Sequence, residues 1–169
     1  MNVLFVCTGN ICRSPLAEAL LDREARLLGA TDRIRVDSVG VTAEHEGQSA
    51  DARMRKTAAR HGVHVDHRAR RISGRDIEWA DLVVAMDDGH VRSLSRMIES
   101  TPLDRPVVIR KLREFDPDAV VEGAHDGTIP DVPDPWYGDM DGFERVFDMV
   151  ERSCRLLASR LASADSDDR

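Results

Sequence analysis

Aromatic residues are scarce, 4% of 169 residues with two Trp and one Tyr, so aromatics that fall together are informative. Cysteine is scarce as well. Three Cys, an odd count without the pair-of-pairs spacing of a zinc site, argue against a disulfide scaffold. No apolar run approaches the ~20 residues of a membrane-spanning helix. Met1-Asn2 leads directly into an apolar stretch, which leaves no secretory signal; a cytoplasmic chain without membrane attachment is expected, in a reducing compartment that suits a reactive thiol. Positive charge is in deficit, and a net charge of −7 disfavours nucleic-acid binding. No Gly-Lys-Ser/Thr follows the N-terminal glycine, which excludes a Walker loop. Internal repeats and composition breaks are absent too. With 41% hydrophobic and 33% charged residues, the chain reads as one globular domain.

The most informative stretch is Val3-Leu4-Phe5-Val6-Cys7-Thr8-Gly9-Asn10-Ile11-Cys12-Arg13-Ser14-Pro15. Residues 3–6 form a continuous apolar run, as in a strand buried on both faces of a parallel sheet. Gly9 and Asn10 tolerate unusual backbone angles, so the chain can curl tightly after Cys7. Pro15 suits the first turn of a helix, and residues 16–28 read as that helix. A loop of this kind aims backbone N–H groups and the positive end of a helix dipole at one point, a site for a dianion. The same field is expected to lower the Cys7 pKa from ~8.5 into the range of roughly 3.5–7.5. Arg13 offers a planar fork of donors for two phosphate oxygens, and Ser14 can donate a hydrogen bond to the thiolate. Thiolate, anion cradle and bidentate Arg together describe phosphoryl transfer through a cysteinyl-phosphate. Cys12 lies five positions on in a loop that curls back, so the two sulfurs are expected to meet as a redox-sensitive pair.

Residues 34–39, 82–86 and 107–109 read as further strands. Helices are predicted over residues 51–61 with Gly62 behind as cap, over 72–80 with Ser73 as N-cap, and from Asp87-Asp88 to about Ser100. Alternation of strands and helices predicts a single-domain α/β fold: a four-stranded parallel sheet, helices on both faces, and the phosphate-binding loop after the first strand. Ligands bind beyond the carboxyl ends of such strands, where Cys7 lies. Residues 112–135 form a long connection rich in Pro, Gly and Asp, of a length that is often functional. Phe143, Val146, Phe147, Val150, Cys154, Leu157 and Leu161 fall on one helical stripe, which makes Cys154 a core residue. The domain is expected to span residues 1–163, with a disordered acidic tail over 164–169. Residues 53–75 carry eight Lys/Arg against Asp66 alone; this reads as a solvated face, the alternative being a docking surface for an acidic partner. A proton donor for the leaving oxygen is also required, and Asp131, Asp134, Asp139 and Asp141 are all candidates by composition alone.

The string from Val6 to Pro15 resembles the signature of the low-molecular-weight protein tyrosine phosphatases. Asp37-Ser38, Asp66-His67-Arg68-Ala69-Arg70, Ala85-Met86-Asp87, Asp134-Pro135-Trp136-Tyr137-Gly138 and Gly142-Phe143-Glu144-Arg145-Val146 follow in the family's order. The resemblance implies a phosphatase acting on tyrosine-phosphorylated proteins, with Cys7 as nucleophile, Arg13 as phosphate clamp and Asp134 as general acid. Pro135 restricts Asp134 to extended angles. Thr8, Gly9, Asn10, Ile11, Cys12 and Ser14 would complete the phosphate site, and Trp136 and Tyr137 would form an aromatic wall. Asn10 would hold the loop in shape, His67 would join a buried network behind it, and Asp87 would sit near the cleft. His61 also falls at a family position, with a structural role. His45, His64, His90 and His125 show no metal-ligand spacing, so no metal and no cofactor is expected. A monomer or weak homodimer is expected.

Three other readings share this loop. A thioredoxin-coupled arsenate reductase needs two further Cys, and residues 72–115 contain none. Protein arginine phosphatases resemble the loop but carry Thr where this chain has Ile11, and a branched apolar residue suits an aryl ester better than a guanidinium. A silent phosphotyrosine-binding module would not need Cys7, Arg13 and Asp134 intact. One departure from the family stands out: Glu44 occupies the place of an aromatic wall residue before His45, which bears on substrate range.

Overall fold

The computed structural model describes residues 1–122 and 127–164. Strands β1 (Asn2–Cys7), β2 (Arg35–Gly40), β3 (Leu82–Ala85) and β4 (Val108–Lys111) form one parallel sheet in the order β2-β1-β3-β4. The helices are α1 (Arg13–Leu27), α2 (Ala52–Arg60), α3 (Gly74–Trp79), α4 (Asp88–Ser100), α5 (Pro117–Glu122) and α6 (Met140–Ala164). Side chains of β1 alternate between two cores, as the two-residue period of a strand requires. Val3, Phe5 and Cys7 face the core shared with α1, α2 and α6, whereas Leu4 and Val6 face the core shared with α3 and α4. The sheet therefore has helices on both faces. β1 is central, and the chain winds outward from it in both directions. Its carboxyl end, at Cys7, is the point where strand order reverses and a crevice opens.

Local chemistry explains the boundaries. α1 begins at Arg13, three residues before the predicted start, because Ser14 and Pro15 can both occupy a first turn whose N–H groups need no intrahelical acceptor. Asp51 caps α2, its side chain accepting from the N–H groups of Arg53 at 2.7 Å and Met54 at 3.4 Å. Gly62 follows with φ of 72°, a left-handed angle that glycine adopts without strain. Asp87 caps α4 by accepting from His90 N–H at 2.9 Å. The stripe on α6 is buried from Phe143 to Leu157, and Leu161 packs against it partly exposed.

One expectation changes. The connection over residues 112–135 contains a 3-10 turn (Leu112–Phe115) and α5. Both are too short to show periodicity in sequence, and they are tied down by an ion cluster in which buried Asp116 pairs with Arg113 at 3.1 Å and Arg152 at 3.0 Å. The basic stretch is largely the solvated face expected of it, with Arg55, Lys56, Arg60, Arg68, Arg71 and Arg75 exposed, and three of its arginines are in addition held by acids. Arg53 pairs with Asp51, Arg60 with Glu144, and Arg70 with both Asp37 and Asp76; the acids come from several elements. The helix α6 continues to Ala164, one residue past the expected domain end; the rest of the expected acidic tail, and His125, lie outside the described residues. Among the described residues no helix is long and apolar enough to cross a membrane.

Candidate active site

A cleft of about 110 Å³ opens at the carboxyl edge of the sheet. Cys7, Thr8, Gly9, Ile11, Cys12 and Arg13 form its floor, Glu44 and His45 one rim, and Asp134, Trp136 and Tyr137 the other. Cys7 ends β1, and its Sγ lies 3.0 Å from Ser14 Oγ. The Asn10 amide donates to that same hydroxyl at 2.9 Å, whose one hydrogen has two acceptors in reach, the Cys7 sulfur and the Val39 carbonyl at 3.3 Å.

Asn10 and Ser14 do not line the cleft. Both are fully buried behind the loop, so their side chains support the anion site and do not touch an anion. Asn10 holds a left-handed backbone with φ of 57°, which costs a non-glycine residue about 1 kcal/mol or more unless its side chain is fixed. Its side chain is fixed on four sides. Oδ1 accepts from Arg70 N–H at 2.9 Å and lies 2.8 Å from His67 Nε2, while Nδ2 donates to Ser14 and, at 3.0 Å, to Ser38. A backbone N–H can only donate, so Arg70 sets the amide orientation and His67 must carry a proton on Nε2. Glu18 closes the network, accepting from Ser38 Oγ at 2.7 Å and lying 3.3 Å from His67 Nδ1.

Arg13 is buried, and its guanidinium is held by acceptors from three directions. Nη1 donates to Asp87 Oδ2 and to the Val132 carbonyl, each at 3.1 Å. Nη2 donates to Asp134 Oδ2 at 2.7 Å and reaches Thr8 Oγ1 at 3.4 Å. Asp134 is anchored through its other oxygen, which accepts from Trp136 N–H at 3.0 Å across Pro135. Of the four candidate acids, Asp134 alone lines the cleft. Asp131 pairs with Lys111, Asp139 accepts from Gly142 N–H, and Asp141 lies in the first turn of α6.

The two aromatics separate. Trp136 packs against the core and forms the wall, whereas Tyr137 is 93% exposed at the rim. Three residues without a sequence role complete the site. The His45 ring lies 5.3 Å from that of Trp136 and covers Gly9, where a Cβ would come within 2.6 Å of the ring. Arg53 donates to the Trp136 carbonyl at 3.2 Å and lies over both the Trp136 and Phe143 rings. Its partner Asp51 is drawn below the usual carboxylate pKa: burial opposes this, and the hydrogen bonds from Arg53 outweigh it. His90, buried beneath the loop, places Nε2 3.0 Å from Thr8 Oγ1. Only its spacing of three from Asp87 hinted at a shared helix turn. Burial, with help from the charges of Asp51 and Cys7, pushes the Cys12 thiol well above its ordinary pKa.

The model of the low molecular weight phosphotyrosine protein phosphatase family matches residues 2–166. A Streptomyces coelicolor low molecular weight protein-tyrosine-phosphatase is 44% identical over 160 residues, 94% of this chain and 92% of that one. A protein tyrosine phosphatase structure from Entamoeba histolytica superposes with a TM-score of 0.82 at 34% identity, covering 100% of this chain and 99% of the other. The Drosophila arginine phosphatase superposes with a TM-score of 0.83 at 29% identity, covering 95% and 97%. With the family model matching residues 2–166 and a relative 44% identical over 94% of the chain, the chain belongs to the low molecular weight phosphotyrosine protein phosphatase family.

Proposed function

We propose that this chain hydrolyses phosphotyrosine in proteins in two steps, with Cys7, Arg13 and Asp134 as the chemical groups. In the first step the Cys7 sulfur attacks phosphorus and the bond to the aryl oxygen breaks. Asp134 gives its proton to that oxygen as it leaves. An entering phosphate dianion competes with the Asp134 carboxylate for the Arg13 guanidinium. In the second step Asp134 takes a proton from water, the water oxygen bonds to phosphorus, and the sulfur leaves as thiolate with inorganic phosphate released. Arg13 and the loop N–H groups balance the charge of the phosphoryl oxygens throughout. A reducing cytoplasmic setting suits three free thiols.

The observation that carries this reading is the convergence of Cys7, Arg13 and Asp134 on one cleft walled by Trp136. The same lining favours an aryl ester over a phosphoguanidinium. Ile11 presents apolar surface beside Cys7, and Trp136 offers a ring face for stacking. Turnover of matched phosphotyrosine and phosphoarginine peptides tests substrate class, with phosphotyrosine expected to lead by kcat/KM. Asp134→Asn is expected to slow peptide hydrolysis by ~10²–10⁴-fold. The loss should shrink for leaving groups of low pKa, which depart with little protonation; equal losses across leaving groups would contradict the assignment of the acid.

A further inference from the structure

The loop that carries Asp134 is tied to the sheet by a lysine with no role in the chemistry above. Lys111 is the last residue of β4 and is 8% exposed. Its Nζ lies 2.6 Å from Asp131 Oδ1, 2.7 Å from Asp88 Oδ1 and 2.5 Å from the Ile129 carbonyl. An ammonium has three hydrogens, so each has an acceptor and no donor is left over. Burial alone would pull the Lys111 pKa down, but the hydrogen bonds and charges of Asp131 and Asp88 outweigh it and hold it above the usual lysine value.

The consequence for the loop is direct. Asp131 Oδ1 also accepts from Asp88 N–H at 3.2 Å, in the first turn of α4. The next residue, Val132, is buried and bonded in both directions: its N–H to the Met86 carbonyl at 2.8 Å, its carbonyl to Arg13 at 3.1 Å. Asp134 follows only two residues later, with Pro133 and Pro135 stiffening the chain on either side. The approach to the acid therefore hangs from β4, from the end of β3 and from α4 at once. Lys111 is also the cation that keeps two carboxylates, Asp88 and Asp131, at one point. Without it they repel each other, and the loop is the member free to move outward.

We infer that Lys111 is a positioning residue for proton transfer, holding residues 129–132 against the sheet so that Asp134 reaches the leaving oxygen. This rests on Asp134 being the general acid. The loop's displacement should damage protonation first, because in the phosphate cradle of residues 7–14 Arg13 loses one acceptor, the Val132 carbonyl, and keeps Asp87 and Thr8. Misplacement by about 1 Å can cost ~10²-fold.

The test is a leaving-group series on purified, folded Lys111→Met, with Asp134→Asn beside it and with inhibition by vanadate as a measure of the cradle. For Lys111→Met we expect a fall in kcat of ~10- to 100-fold with peptide phosphotyrosine, a loss within about twofold for aryl esters whose leaving groups need no proton, and vanadate inhibition within about twofold of wild type. A merely structural role would lower all rates together, and such a flat profile overturns the inference. Adding Asp131→Asn to Lys111→Met removes the repulsion and should recover part of the lost rate. If Lys111→Met does not fold, Asp131→Asn alone decides, since it keeps the ammonium and removes the charged half of its grip on the loop, leaving only the Ile129 carbonyl: a several-fold loss confined to poor leaving groups supports the inference, and a flat profile overturns it. A steep profile for Asp134→Asn with a flat one for Lys111→Met rejects the role of Lys111. A flat profile for Asp134→Asn rejects the acid itself.

Discussion

His90 shows how one buried side chain can set a pH limit. Burial pushes its pKa down to about 4, with Arg13 acting the same way and Asp87, Asp134 and Asp131 opposing. Asp87 Oδ1 lies 3.1 Å from Nδ1 but off the line of the ring N–H, so it offsets the burial only in part. The folded protein thus keeps His90 neutral down to about pH 4, whereas the unfolded chain takes up the proton near ~6.5. Between those values the unfolded state binds more protons, so stability is full above pH 6.5 and falls as pH drops. The linkage is about 2 kcal/mol between pH 7 and 4.5. Urea unfolding of wild type and His90→Asn at these two pH values should show the variant losing less, by about that amount; identical losses would place the proton elsewhere. Glu44 is the other residue whose charge matters. It lines the cleft together with Trp136 and is exposed. Its carboxylate repels an incoming phosphate and removes ring area from the wall, together about 1 kcal/mol. Glu44→Trp should lower KM for small aryl phosphates several-fold, leave kcat nearly unchanged and weaken any preference for basic residues beside the phosphotyrosine. Unchanged KM and unchanged flank preference would show that Glu44 does not act on substrate.

The loop from β1 to α1 carries the redox prediction. Cys7 and Cys12 are both buried in the same cleft floor. Cys12 is held as a thiol, and Cys154 is enclosed in the α6 stripe with its pKa also pushed up by burial. Peroxide should therefore convert Cys7 to a sulfenic acid. The Cys12 thiol then displaces that oxygen as water, forming the disulfide, while Cys154 stays reduced. Peptide mapping after mild peroxide checks this. Equal rates of irreversible Cys7 sulfinic acid formation in wild type and Cys12→Ser would reject the guard role. The loop can do this because it is both tight and tethered, with the four bonds of the Asn10 amide holding its strained turn.

Across the molecule, α6 is the buttress on which the site depends. At 25 residues it is about 37 Å long and packs along α1, whose first turn directly follows the phosphate loop. Phe147 is fully buried in the core that α6 shares with α1 and α2, and the His61 ring stacks on it at 4.1 Å while bonding Glu144 at 2.7 Å. Phe147→Ala should cost ~3–5 kcal/mol through the cavity it leaves, roughly 10 °C in Tm for a domain of this size. The activity of the folded fraction at 25 °C should change little, because no cleft residue is touched. A loss below about 1 kcal/mol in urea unfolding would mean that α1 and α6 close over the gap.

Four strands, their parallel pairing and the α6 stripe were legible in the chain because each is a local hydrophobic pattern with one workable partner. Cys7 and Arg13 were legible because loop and helix start are contiguous, so the eight residues 7–14 contain the whole anion cradle. Asp134 could be chosen over Asp131, Asp139 and Asp141 only through family resemblance; in space the choice is plain, because one of the four reaches Arg13. Lys111, Arg53, His45 and His90 carried no signal. Each acts through a partner tens of residues away — Lys111 on Asp131, Arg53 on Trp136, His45 on Gly9, His90 on Thr8 — and each is of a type that more often faces water or simply packs. The sequence by itself determined the cysteine loop after β1 and the sheet beneath it, since these follow from neighbours along the chain. Which acid is presented, which cation holds its loop and which rings wall the cleft were decided only by the fold. Those contacts depend on charges and rings from different elements meeting where the strand order reverses, and distance through space is not a local property of sequence.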